Sequence, residues 1–151
     1  MNSTATLDDC FLTFHALAGD APSGGLPNQT YPVLLQVRPV ILDDGTPGVV
    51  VTATCRGSVP LGLTCEDATA LGEWLQALVT PKGRARASRS VRVMGPDWAV
   101  PIIPRVGVRM VADRAVLDAG PAYLLEDETA RLLAAALMTS AAWALATADA
   151  T

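Results

Sequence analysis

The chain has 151 residues, half of them hydrophobic, and a mean hydropathy of +0.33, which excludes intrinsic disorder as a global description. Aromatic residues make up 5% and charged residues 17%, so the core falls to Val, Leu, Ile and Ala. Soluble domains carry about a quarter charged residues, and the deficit points to surface hidden by a partner or by self-association.

From the start of the chain, Met1 to Asp9 has no basic n-region and no apolar h-region, so no signal peptide is expected. Thr6, Asp9 and Gly19 fit a cap, a capping-box acid and a C-terminal stop. Leu7, Cys10, Phe11, Phe14 and Ala18 fall on one helical face, and the pattern predicts a helix over 6–18. Residues 19–32 read as a Gly- and Pro-rich loop. No strand precedes that loop and no Gly-Lys-Ser/Thr follows, so it lacks the phosphate-cradle pattern.

A hairpin is expected next. Val33–Leu42 and Val49–Cys55 flank the turn cluster 43–48, and Pro39 marks the first strand as an edge or a bulged strand. Thr64 with Asp67 opens a helix whose apolar stripe is Leu71, Trp74, Leu75, Leu78 and Val79. Residues 81–90 form a basic linker. Strands are expected at Val91–Met94, Val100–Ile103, Val106–Val111 and Ala115–Leu117, with turns at 95–98 and 112–114. A long helix from about Glu126 to about Ala148 closes the series.

That helix has no charge from Leu132 to Ala148. It is rich in Ala, Thr and Ser rather than Leu and Ile, so it reads as buried or oligomer-forming, not as a membrane span. The expectation is a homodimer whose contact includes this helix near Trp143.

At an offset of 62 residues, Leu63, Glu66, Ala68, Leu71 and Leu75 match Leu125, Glu128, Ala130, Leu133 and Leu137. The match fits an internal repeat, 33–80 and 91–148, inside a single domain 1–151; any two acid-capped amphipathic helices would produce it as well. The expected fold class is α+β: antiparallel hairpins with one face covered by two helices, arranged as two β-β-α units. The segment Leu63-Thr64-Cys65-Glu66-Asp67-Ala68-Thr69-Ala70-Leu71 resembles a strand-to-helix junction, Leu-Thr-x-Glu-Glu-Ala-x-x-Leu, of small uncharacterised actinobacterial and actinophage proteins. Residues 125–133 are similar, with Glu126 in place of Thr. The resemblance covers the two helix starts and implies origin and fold, with no activity attached.

Catalytic chemistry is poorly supplied. His15 is the only histidine, and no Gly-x-Ser-x-Gly elbow occurs. Asp43 and Asp44 precede Gly45 and read as a turn before they read as a catalytic pair. The three cysteines, Cys10, Cys55 and Cys65, are odd in number and irregular in spacing. That argues against a disulfide framework and for a reducing cytoplasm. Cys10-x4-His15 is the only close ligand pair, so no metal and no cofactor is expected.

Charge is more informative. Residues 1–81 carry two arginines against eight acids, net −6, and residues 115–151 carry Arg131 against five acids, net −4. Residues 82–114 carry eight bases against Asp97 and Asp113, net +6, hidden inside a pI of about 4.8. Arg84, Arg86, Arg89, Arg92, Arg105 and Arg109, with Trp98 beside them, are the candidate partner-binding residues. The expected function is a cytoplasmic, non-enzymatic interaction protein that meets an acidic protein surface. The alternative is an electrostatic nucleic-acid binder acting through 82–92.

Overall fold

In strands with one wet face, side chains alternate between core and solvent, and residues 33–38 follow that rule. Val33, Leu35 and Val37 are buried, whereas Leu34 and Gln36 are half-buried and Arg38 is exposed. The computed structural model of the chain describes residues 12–21, 24–42, 44–53, 60–79, 89–93 and 105–150. Its strands are β1 (Leu12–Asp20), β2 (Asn28–Ile41), β3 (Pro47–Ala53) and β4 (Leu61–Thr64), followed by helix α1 (Cys65–Leu78). Then come β5 (Arg89–Arg92), β6 (Arg105–Val111), β7 (Arg114–Asp118), β8 (Ala122–Leu125) and helix α2 (Asp127–Asp149). All eight strands form one antiparallel sheet in the order β4-β3-β2-β1-β8-β7-β6-β5. The fold is α+β. Each helix follows four strands in meander order, twice the strand count of a β-β-α unit.

Two turns fix the hairpins. Between β2 and β3, Asp44 Oδ1 accepts from the Thr46 amide at 2.9 Å, and Gly45 takes φ +88°. Between β6 and β7, Ala112 and Asp113 adopt φ +50° and +63°, and Val111 pairs directly with Arg114. Two successive positive φ values make the tight turn whose twist suits a right-twisted hairpin.

The helix expected over 6–18 is corrected within the described residues: from Leu12 the chain is a strand. Phe14 and Ala18 are four apart, which satisfies a helical face and an alternating strand equally. Exposed Thr13, His15 and Leu17 alternate with half-buried Phe14 and buried Ala16 and Ala18, and pairing with β2 and β8 decides for the strand. The loop expected over 19–32 shrinks accordingly, since β1 runs to Asp20 and β2 starts at Asn28. Pro39 does not mark an edge, because β2 lies between β1 and β3. The described β1 pairing ends at Leu12–Val37, so Pro39 lies past it while pairing with Val49 of β3. The strand expected at 100–103 and the turn at 95–98 lie outside the described residues.

Both helices cover the same face of the sheet. Thr64 caps α1 as its spacing implies, its Oγ1 accepting from the Asp67 amide at 3.0 Å. Glu126 caps α2 with no side-chain hydrogen bond. α2 lies chiefly across β1, β2 and β3, strands of the first half, whereas α1 spans β3, β4, β5 and β6. The two helices pack against each other, and Leu71, Leu75, Leu133 and Leu137 are essentially sealed between them and the sheet.

Candidate interaction surface

The face of the sheet away from the helices carries Arg92, Arg105 and Arg109, three of the arginines that the charge pattern singled out. Along β6 the buried Val106 and Val108 point to the helix side, so Arg105 and Arg109 point outward. Arg92 is the direct cross-strand partner of Arg105, and both are exposed. Arg105 is steadied by Ser90, its Nε donating to Ser90 Oγ at 2.8 Å and its Nη2 to the Ser90 carbonyl at 3.0 Å. Like charges directly opposite each other in a sheet are unfavourable. An anion laid across the pair would remove that cost.

Arg109 behaves differently. Its Nε donates to Asp118 Oδ2 at 2.6 Å and its Nη2 to Oδ1 at 3.1 Å, a bidentate fork. Its Nη1 donates to the carbonyl of Gly24 in the β1–β2 loop. The Arg109 side chain is only 11% exposed, so this guanidinium clamps a loop to the sheet and is withdrawn from the basic surface. Register explains the reach: Gly107 stands opposite Asp118 and Val116 opposite Arg109, so the fork runs diagonally past a residue with no side chain. Arg89 belongs to β5, opposite Val108; its side chain, like Arg84, Arg86 and Trp98 entirely, lies outside the described residues. Of the candidate arginines, the structure brings together Arg92 and Arg105.

One concavity was not foreseen from the sequence. Where β1 pairs with β8, a shallow pocket of about 270 Å³ is lined by His15, Leu17, Pro32, Leu124, Arg114, Glu126 and Thr129, with Ala16. The register Ala115–Leu125 makes Arg114 and Glu126 neighbours across β7 and β8. That adjacency depends on a four-residue strand too short to read from periodicity. The pocket gathers an imidazole, a guanidinium and a carboxylate among apolar side chains.

Elsewhere the chemistry is structural. Asp44 has its carboxyl held below the usual value by the Thr46 backbone amide, as a turn residue does. Asp43 lies outside the described residues. Cys65 is a buried free cysteine at the start of α1, and burial pushes its thiol up, away from the reactive thiolate. Cys10 and Cys55 lie outside the described residues, among which no three His, Cys, Asp or Glu side chains are grouped to hold a metal ion. Trp143 is half-buried, and its indole Nε1 is buried with no hydrogen-bond acceptor. No protein-family model matches the chain, and neither a curated protein nor a solved structure matches it.

Proposed function

We propose that the protein is a non-enzymatic interaction module of the reducing cytoplasm that docks an acidic protein surface on the outer face of its β5–β6 hairpin. The observation that carries this reading is the cross-strand pair Arg92–Arg105, two exposed arginines directly opposite each other on the hairpin that ends the sheet. A carboxylate-bearing partner relieves their repulsion and gains two charge-assisted contacts at once. The free, buried Cys65 fits a compartment without disulfide formation.

The test is capture of partners on immobilised full-length protein, with and without nuclease, against the Arg92→Ser/Arg105→Ser double variant. The reading requires retained proteins that survive nuclease and are lost with the double variant. Capture abolished by nuclease, with affinity falling steeply as salt rises, would transfer the surface to nucleic acid. Capture unchanged by the double variant would remove it altogether.

A further inference from the structure

The two helices present very different surfaces to solvent. The outer side of α1 is polar, with Glu66, Glu73 and Gln76 exposed beside Ala77. α2 buries Ala130, Leu133, Ala134, Ala136, Leu137, Ser140, Ala141 and Ala144. Its opposite side exposes Glu128, Leu132, Ala135, Thr139, Ala142, Ala146 and Asp149. The steps between those positions alternate between four and three residues, the spacing of a coiled-coil seam. Leu132 is 53% exposed and Leu145, beside the seam, 47%. No charge occurs between Arg131 and Asp149. A helix face meant for water alone carries polar residues along its length.

We infer that this seam is where two copies of the chain pair, α2 against α2, antiparallel. Charge selects both the occupant and the direction. A parallel pair would set Arg131 against Arg131 and Asp149 against Asp149. In the antiparallel pair with Leu132 opposite Leu145, Ala135 falls opposite Ala142 and Glu128 opposite the second copy's Asp149, with Arg131 within a turn of both carboxylates to bridge them. The antiparallel direction also opposes the two helix dipoles. Ala135, Thr139, Ala142 and Ala146 are small enough for the helices to approach near the short end of the usual 8–10 Å range. Ala144 and Ser140 are buried inside the protein, so they lie on the wrong side of the helix for this contact.

α2 is also long and apolar enough to cross a membrane by length and composition. Its inner side, however, is committed to the sheet and α1, and a spanning helix would have to give up that packing.

A single helix pair is a small interface, so the expected dissociation constant is on the order of micromolar. Sedimentation equilibrium of the full chain should show a mass rising with concentration from 15.7 kDa towards twice that value. Ala142→Glu, at an exposed position, should hold the protein at the monomer mass with its far-ultraviolet dichroism unchanged. Arg131→Glu should weaken pairing by about tenfold, because it leaves acids alone at both ends of the symmetric contact. Adding Asp149→Arg to it should restore pairing. A monomer mass at every concentration overturns the inference, as does a dimer that Ala142→Glu leaves intact. So does failure of the charge exchange to restore pairing. A monomer that floats with phosphatidylcholine vesicles, and loses this with Ala142→Glu, would assign the seam to a lipid surface instead. The Arg92→Ser/Arg105→Ser variant should dimerise normally, which separates this contact from the partner surface proposed above.

Discussion

Gly72 of α1 sits against the main chain of α2 at Ala134. A methyl group on Gly72 would come within 2.8 Å of the Ala134 carbonyl oxygen and 2.9 Å of Met138 Cγ. Replacing an ordinary helical glycine by alanine gains about 1 kcal/mol. Here the oxygen belongs to a helix backbone and cannot swing aside, so overpacking of about 1–3 kcal/mol dominates. Gly72→Ala should lower the urea midpoint with the slope unchanged; a raised midpoint would mean that the helices have room to spare.

The β6–β7 turn stores strain at Ala112, which takes φ +50° without the advantage of glycine or asparagine. Ala112→Gly or Ala112→Asn should therefore stabilise the protein by about 0.5–1 kcal/mol. Thermal unfolding reads the shift, and Asn should at least equal Gly, since it costs less freedom in the unfolded chain. Destabilisation by both would show that the turn does not hold this conformation in solution.

Arg109 and Asp118 form a pair that is part buried on the arginine side and 45% exposed on the carboxylate side. Solvent screens it, so Arg109→Ala should cost about 1–2 kcal/mol. Asp118→Ala should cost less, because Arg109 keeps the Gly24 carbonyl. A double-mutant cycle should give a coupling near 1 kcal/mol, and hydrogen exchange around Gly24 should quicken in the Arg109 variant. Partner capture should survive Arg109→Ser; if it fails as completely as with Arg92 and Arg105 changed, Arg109 faces the partner after all.

Cys65 links stability to alkaline pH. Burial raises its thiol pKa in the folded protein, so the unfolded chain ionises first. Stability from this group is full below the unfolded value of about 8.5. It falls as pH rises from there through the raised folded value. In a Cys10→Ser/Cys55→Ser background, Cys65 should resist iodoacetamide until urea unfolds the protein. Cys65→Ala should flatten the loss of stability above that pH; an identical slope would place the thiol in contact with water.

Much of the scaffold was legible where local chemistry dictates it. The β2–β3 hairpin announced itself by alternation around Asp44-Gly45, and both helices by their acids and apolar stripes. β1 was misread because Phe14 and Ala18 satisfy both periods. β4 and β8, with four residues each, leave no period to read. The β1–β8 pairing that joins the halves, and the pocket built on it, rests on contact between distant segments and has no local signature. Alternation with Val108 and Met110 puts Arg109 on the outward face, but its clamp on Asp118 and Gly24 depends on the β6–β7 register and the course of a far loop.

The placement of α2 over the first half's strands bears on how the chain matures during synthesis. A ribosome adding roughly 5–20 residues per second needs on the order of ten seconds to proceed from Ala53 at the end of β3 to Asp149 at the end of α2. Throughout that interval Val33, Leu35 and Val37 of β2 lack α2, the helix that covers them, while α1 reaches β3 and β4. The nascent N-terminal half thus exposes a broad apolar sheet face that holdase chaperones would recognise. A nonsense mutation upstream of Asp127 would make that transient exposure permanent, yielding an aggregation-prone fragment rather than a smaller folded one.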